Sequence, residues 1–125
     1  MRAILVDPWR RRVKAIQTPA GLRDMYRLIG CSGIDGFRFP ANKTEWVFVD
    51  DEGLLREPRP AMFVLKDYSQ PLVGRGLILG ATPNGDSMSS RLMVEEIERV
   101  ISWEFWEIRF DSLADIRRAM RPARI

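Results

Sequence analysis

Residues 2–30, RAILVDPWRRRVKAIQTPAGLRDMYRLIG, predict a β-hairpin followed directly by an amphipathic helix. The apolar run at residues 2–6 predicts a buried strand, and the alternation of apolar and polar residues at 12–17 predicts its partner. Asp7-Pro8-Trp9-Arg10, between the two strands, supplies residues that favour turns. A hairpin and a helix in such a short stretch indicate a domain of the α+β class.

The helix is the clearest element in the sequence. Thr18 is expected to cap its first turn and Pro19 to occupy its first helical position, where proline's missing N–H costs nothing. Apolar residues recur at the spacing of one helix face, at Leu22, Met25, Tyr26 and Ile29. Gly30 is expected to end the helix in the left-handed conformation that glycine adopts easily.

Further strands are predicted on the C-terminal side of this helix. The apolar patterns place them at residues 34–39, 45–49, 61–65 and 72–81, and they place a second helix at about 91–100. The Asp50-Asp51-Glu52-Gly53 turn follows the strand at 45–49, and Gly53 is expected to take a positive φ angle there.

The C-terminal segment predicts one more strand and one more helix. Residues 101–110, ISWEFWEIRF, alternate strictly, but the phase of the alternation changes between Phe105 and Trp106. A β-bulge produces such a change of phase. Residues 112–120 predict a final helix with capping residues at its start and basic residues along one face.

The chain is therefore predicted to be one α+β domain over residues 1–125, with a mainly antiparallel sheet and two or three helices. A length of 125 residues suits one domain, and 46% hydrophobic with 30% charged residues is typical of an ordinary globular protein. Residues 2–101 form the expected core, and residues 102–125 add a strand and a basic C-terminal helix.

The composition excludes several classes of chemistry. The sequence has no histidine and a single cysteine, Cys31, which excludes His-based catalysis, His-liganded metals and an internal disulfide. No catalytic residue, cofactor or metal ligand is therefore expected. The N-terminal apolar run has only four residues, and no apolar stretch is long enough to span a membrane. We expect a cytoplasmic protein with no membrane partner.

Three segments carry a resemblance to a known family: residues 25–35 (MYRLIGCSGID), 49–55 (VDDEGLL) and 70–86 (QPLVGRGLILGATPNGD). The chain resembles an uncharacterised family of small bacteriophage and prophage proteins that is classed as a domain of unknown function. Its members share a helix ending in glycine, a D-E-G turn and a glycine-spaced strand followed by G-D, which here fall within residues 2–101. The resemblance implies a phage or mobile-element setting and no particular activity.

Three motifs have a structural interpretation that is simpler than the functional one. Asp50, Asp51 and Glu52 have the oxygen ligands that Mg²⁺ or Ca²⁺ would need, but a solvated turn explains them better. The glycines of residues 74–80, GRGLILG, miss the spacing of nucleotide-binding loops, and close backbone packing or a bulge accounts for them. Cys31 follows a helix C-terminus, which disfavours a thiolate, and is expected to be a packed thiol.

The remaining candidates are arginines and exposed tryptophans. One basic cluster lies at the opening hairpin and includes Lys14, and a second lies on the predicted C-terminal helix. Such clusters suit phosphates or an acidic protein surface, while an ordinary solvated face is the simpler interpretation. Trp9 in its turn, or one strand tryptophan, is expected to be exposed. The predicted partner-binding residues are Trp9, Arg10, Arg11, Arg12, Arg75, Trp106, Arg117, Arg118, Arg121 and Arg124.

Three hypotheses of function follow from these residues. The first is a small non-enzymatic binding protein of phage or mobile-element origin that occupies a host protein or complex. Its most specific form is an inhibitor of a host defence system, such as an anti-CRISPR protein. The second is a nucleic-acid-binding accessory protein that uses the arginine clusters. The third is a small-ligand-binding protein with Arg75 in its pocket, or an enzyme that relies on carboxylates alone.

Overall fold

The computed structural model describes residues 1–19, 21–55 and 61–104. Its elements in chain order are β1 (Arg2–Asp7), β2 (Arg12–Gln17), α1 (Leu22–Ile29), β3 (Ile34–Arg38), β4 (Glu45–Asp50), a 3-10 turn (Gly53–Leu55), β5 (Met62–Leu65), β6 (Leu72–Val73), β7 (Gly76–Ala81), β8 (Ser87–Met88), α2 (Val94–Glu98) and β9 (Ile101–Glu104). Every strand pair is antiparallel. The predicted α+β class, with a mainly antiparallel sheet and two helices in the described part, is confirmed.

The strands form two sheets. The main sheet has the order β2-β1-β7-β4-β3, and the short strand β8 pairs with the end of β7. The second sheet has the order β6-β5-β9. Strand β7 lies at the centre of the main sheet, between β1 and β4. Its residue Ile78 lies opposite Ile4 of β1 on one side and opposite Val47 of β4 on the other.

The two faces of the main sheet are covered by different elements. On one face, α1 packs its buried residues Met25 and Ile29 against a cluster that contains Ala3, Leu77 and Leu79. The opposite face carries the larger core, in which side chains of the main sheet meet the second sheet and α2: Ile4, Val6, Val47 and Ile78 on one side, and Phe63, Leu65, Leu72 and Ile97 on the other. Alternation along β7 thus sends neighbouring side chains into two separate cores.

The opening hairpin is confirmed, but α1 begins later than the sequence predicts. Thr18 does not cap the helix: its backbone N–H donates to the carbonyl of Met1 at 2.9 Å, which extends the pairing of the hairpin. The N-cap is Gly21, without a side-chain hydrogen bond, and Leu22 is 54% exposed and so leaves the predicted apolar face. The predicted end is correct, since Gly30 has a φ of 82° and its N–H donates to Tyr26.

The predicted single strand at residues 72–81 is two strands. Gly74 has a φ of 81°, and this turn separates β6 in the second sheet from β7 in the main sheet. The sequence concealed the break because both strands are buried and apolar. The positive φ angle predicted for Gly53 is also wrong. This glycine begins a 3-10 turn and packs against Val73, whose Cβ would lie 3.1 Å from an added Cβ at Gly53.

The C-terminal elements are described only in part. The second helix is shorter than expected and covers Val94–Glu98. The strand predicted at residues 101–110 is present as Ile101–Glu104. The predicted bulge at Phe105–Trp106 and the predicted helix at 112–120 lie outside the described residues. Neither α1 nor α2 has the length and apolar content that a helix needs to cross a bilayer.

Gly76 offers a test of how closely the two sheets pack. A Cβ at Gly76 would come within 2.7 Å of Cζ of Phe63, a fully buried side chain of the larger core. We expect Gly76→Ala to lower the free energy of unfolding by about 1–3 kcal/mol, measured by urea denaturation. The control is Gly21→Ala, whose Cβ would meet only the movable carboxylate of Asp24 at 3.2 Å. An equal loss in both variants would contradict this packing.

Candidate functional site

The turn between β1 and β2 is organised by the carboxylate of Asp7. One oxygen, Oδ1, accepts hydrogen bonds from the backbone N–H groups of Trp9 at 3.1 Å and Arg10 at 3.4 Å. Asp7 is only 9% exposed although it is charged. Asp commonly stabilises turns by bonding the backbone two residues further along the chain. Arg11, the next residue, has a φ of 50° and completes the reversal of the chain.

Arg75 joins this turn from a distant part of the sequence. Gly76 pairs with Val6, so Arg75 comes to lie beside Asp7, and its Nε is 3.6 Å from Asp7 Oδ2. The guanidinium carbon of Arg75 lies 5.2 Å from the centre of the Trp9 ring, within the range of a cation–π contact. Arg10 approaches the same oxygen of Asp7 at 4.0 Å. The Asp7 carboxylate therefore restrains the backbone at Trp9 and also pairs with Arg75, whose guanidinium lies beside the Trp9 ring.

We call Trp9, Arg10, Arg11, Arg12 and Arg75 the Trp9 surface. Trp9 is 47% exposed, as expected for a tryptophan in this turn. Arg12 lies opposite Asp7 in the hairpin register, so the structure brings these five predicted partner-binding residues to one end of the main sheet. The other five, Trp106, Arg117, Arg118, Arg121 and Arg124, lie outside the described residues.

A cavity of about 220 Å³ opens beside the Trp9 surface. Residues from the turn between β1 and β2, the end of α1, β4, β6 and the segment between β6 and β7 line it: Trp9, Ile29, Gly30, Asp50, Val73, Gly74 and Arg75. Gly74 is the positive-φ residue that separates β6 from β7. The same backbone turn that divides the two sheets therefore also places Arg75 at the wall of this cavity.

A second polar region, which sequence reasoning missed, lies near the opposite end of β4. Arg38 of β3 pairs with Trp46 of β4, and the Arg38 guanidinium lies 5.6 Å from the centre of the Trp46 ring. A cavity of about 400 Å³ adjoins them. We call this the Trp46 groove and define it by Arg38, Lys43, Trp46, Pro83 and Arg91, all of which line the cavity. The sequence shows the alternation of Trp46 and Phe48, but it does not show the register that brings Arg38 to Trp46.

Glu45 at the base of this groove is buried, with 2% exposure. Its carboxylate accepts hydrogen bonds from the Ser90 hydroxyl and from the backbone N–H of Arg91, the latter at 3.2 Å. Arg2 binds the same segment from the other side, because its guanidinium donates to the carbonyls of Ser90 at 3.0 Å and Leu92 at 2.6 Å. These bonds fix the segment after β8 to the end of the main sheet at which β1 and β4 begin.

The three motifs with a simpler structural interpretation are placed as follows. Asp50 Oδ1 accepts the N–H of Glu52 at 3.0 Å, as in an ordinary turn. Within residues 1–19, 21–55 and 61–104, no acidic or cysteine side chains cluster in a way that could hold a metal ion. In the glycine segment, an added Cβ at Gly80 would come within 2.8 Å of Glu45, so close packing accounts for that glycine. Cys31 is half-buried against the cluster beneath α1.

The role of Asp7 in the Trp9 surface can be tested by stability. Asp7→Ala removes the acceptor for two backbone N–H groups and the partner of Arg75. We expect a loss of about 1–2 kcal/mol in the free energy of unfolding. Asp24→Ala is the matched control, since Asp24 makes an exposed ion pair with Arg27 at 3.2 Å and such pairs contribute about 0–1 kcal/mol. If Asp7→Ala costs no more than Asp24→Ala, the carboxylate does not organise the turn.

Comparison with known protein families gives a match over most of the chain. Residues 1–102 match the family described as Domain of unknown function (DUF3846), which covers all of the described strands except the end of β9. No curated protein and no solved structure matches the chain. Because the match extends over most of the 125 residues, the chain belongs to the DUF3846 family.

Proposed function

We propose that this chain is a small non-enzymatic binding protein that acts by occupying a host protein or complex through the Trp9 surface. The observation that supports this most is the exposed ring of Trp9, held beside the Arg75 guanidinium at 5.2 Å on a turn fixed by Asp7. Tryptophan and arginine are enriched among the residues that dominate the energy of protein interfaces. A half-exposed tryptophan fixed in this way is suited to insertion into a partner's pocket.

The contacts around Asp7 favour binding because they restrict the surface before a partner arrives. Association costs free energy when side chains and loops must become ordered, and a fixed turn lowers that cost. Here Asp7 restrains the backbone of Trp9 and Arg10, and it pairs with Arg75. The Trp9 surface is thus arranged in the free protein.

The charges around Trp9 indicate an acidic partner. Arg10, Arg11 and Arg12 are all exposed, and Lys14 follows on the same hairpin. Asp7, the one acidic residue of this turn, is mostly buried and already engaged. A ring of cations around an apolar centre steers association towards a negatively charged surface and suppresses contact with basic ones.

The proposal also extends to the origin and the biological role of the protein. We assign the protein to a phage or mobile element and to the cytoplasm of its host cell, where it would inhibit a host defence system such as CRISPR. A non-enzymatic inhibitor needs only a stable surface that blocks its target, and the Trp9 surface provides one. The small size of the chain suits this mode of action.

A nucleic-acid partner is the second candidate, and the same hairpin favours it. Four cations, Arg10, Arg11, Arg12 and Lys14, lie within five residues, next to an exposed aromatic ring. Clusters of this kind bind phosphates with a strong dependence on salt, and tryptophan stacks on unpaired bases. The two candidates differ in whether nuclease and salt abolish binding.

The test is an affinity pull-down from host lysate with the tagged full chain, with and without nuclease. We expect one stoichiometric protein partner that survives nuclease. With that partner purified, Trp9→Ala should raise Kd by about thirtyfold or more, since a dominant interface residue contributes about 2 kcal/mol. Met93→Ala, a change at another exposed apolar residue, is the control and should leave Kd unchanged.

Two outcomes would contradict the proposal. The first is the loss of every partner on nuclease treatment, together with an affinity that falls steeply as salt rises. This result would show that the Trp9 surface binds nucleic acid and not a protein. A protein partner whose Kd is the same for Trp9→Ala and for the unchanged chain would show that binding uses another surface. Circular dichroism of each variant checks that the fold is retained.

A further inference from the structure

We propose that the Trp46 groove is a separate binding site for a nucleoside phosphate, with the phosphate held by its basic residues and the base against Trp46. The proposal is independent of the Trp9 surface. The two regions share no lining residue and lie at different ends of β4, since Asp50 lines the Trp9 cavity and Glu45 lines the Trp46 groove.

The position of the groove follows from the way in which α1 covers the main sheet. Trp46 lies opposite Leu79 in the sheet register and shares its face with Phe48. Helix α1 packs against the β1 and β7 side of that face, through Met25 and Ile29. Trp46 is therefore only half-buried, although it belongs to a central strand.

The groove has a net positive lining. Arg38, Lys43 and Arg91 are exposed and line the cavity, and Glu45 is its one acidic lining residue. The Glu45 carboxylate is buried and already accepts from Ser90 and from the Arg91 backbone. These two hydrogen bonds join Glu45 to none of the three cationic side chains that line the cavity. Arginine binds phosphate oxygens through two parallel N–H groups, and lysine adds a point charge.

The aromatic wall is well defined. Gly36 lies opposite Phe48, and a Cβ at Gly36 would come within 2.9 Å of the Phe48 ring and 3.6 Å of Trp46. The absence of a side chain at Gly36 therefore makes room for the Phe48 ring, and the Trp46 ring lies within ordinary contact distance of the same position. A flat base stacked on tryptophan gains about 1–3 kcal/mol in nucleic-acid-binding proteins.

The opposite wall is the turn at residues 82–86. It is closed by hydrogen bonds from the N–H of Thr82 to the Asp86 carbonyl at 2.8 Å and from the N–H of Gly85 to the Thr82 carbonyl at 2.9 Å. Pro83 lies in this turn and lines the groove. A second cavity of about 340 Å³ shares Arg38, Trp46 and Pro83 with the first, which is about 400 Å³. Cavities of this size are typical of small-molecule sites.

A nucleoside phosphate explains the combination better than an acidic peptide does. An acidic peptide would use the three cations, but it would add no flat group to the Trp46 ring beyond the Arg38 guanidinium, which lies 5.6 Å from the ring centre. A nucleoside phosphate uses both, because its phosphate suits the three cations and its base offers a flat face to Trp46. The same chemistry occurs in free nucleotides and in single-stranded nucleic acid, and the experiment separates these sources.

The test is isothermal titration of the full chain with adenosine monophosphate, adenosine, inorganic phosphate and a short single-stranded oligonucleotide. We expect the monophosphate to bind at least about tenfold more tightly than adenosine or phosphate. Arg38→Ala and Arg91→Ala should each weaken it by about tenfold or more. Arg91→Ala keeps the backbone bond to Glu45, so it separates the side chain's role from folding.

Matched controls show whether a loss of affinity comes from the groove residues and not from a general loss of positive charge. Arg99→Ala and Lys66→Ala remove exposed cations that do not line the groove, and each should leave the affinity within about twofold. Trp9→Ala should also retain nucleotide binding, so failure at one surface is distinguishable from failure at the other. An oligonucleotide that binds more tightly than the monophosphate identifies single-stranded nucleic acid as the source, and equal affinities identify the free nucleotide.

Several results would overturn the site. One is the absence of heat at about 1 mM for both nucleotide and oligonucleotide, with the chain folded by circular dichroism. Others are equal binding of adenosine and its monophosphate, or an Arg38→Ala variant with unchanged affinity. Displacement of the nucleotide by a short glutamate-rich peptide at equal concentration would assign the groove to an acidic peptide.

Discussion

Strand β7 pairs with β1 on one side and with β4 on the other, and both candidate surfaces depend on these two registers. The pairing of Val6 with Gly76 brings Arg75 to Asp7, and hence to Trp9. The pairing of Glu45 with Gly80 closes the base of the Trp46 groove. A slip of one residue along β7 would exchange the two buried faces and separate both sets of residues, so the packing of the two cores is what holds the surfaces in place.

Asp7 and Glu45 have similar roles at the two ends of the main sheet. Each is a mostly buried carboxylate that accepts at least one backbone N–H, two at Asp7 and one at Glu45, and fixes a segment carrying arginine. Removing a charge from water is unfavourable unless hydrogen bonds replace the lost hydration, and both carboxylates have such bonds. Because their charges are engaged within the protein, the nearby arginines present a net positive surface to the solvent. The modest net charge of +3 for the whole chain thus conceals two basic regions.

Much of the fold could be predicted from local sequence. The hairpin follows from alternation around a turn, and the end of α1 follows from Gly30, because both signals act within a few residues. The start of α1 could not be predicted, since Thr18 is used by a backbone bond to Met1. The break at Gly74 was hidden because an apolar run looks the same whether it is one buried strand or two.

The candidate sites were less predictable than the fold, because they depend on which strands pair. The sequence predicted that either Trp9 or one strand tryptophan would be exposed, and it named Arg75 as a candidate, but only the pairing of β1 with β7 shows that Trp9 and Arg75 meet. The Trp46 groove depends entirely on long-range register, because Arg38 and Trp46 belong to different strands. Composition drew attention to arginine and tryptophan as candidate residue types, and topology decided which of them lie together.

The central claim is that Trp9 contacts the partner, and the most direct measurement is site-specific photo-crosslinking in host cells. A photoreactive amino acid replaces Arg10, the exposed neighbour of Trp9, in one full-length variant and Met93, which is 57% exposed, in another. Our account predicts one defined protein adduct from position 10, its loss when Trp9→Ala is added, and none from position 93. An adduct from position 93 without one from position 10, or an adduct from position 10 that Trp9→Ala leaves unchanged, would contradict it.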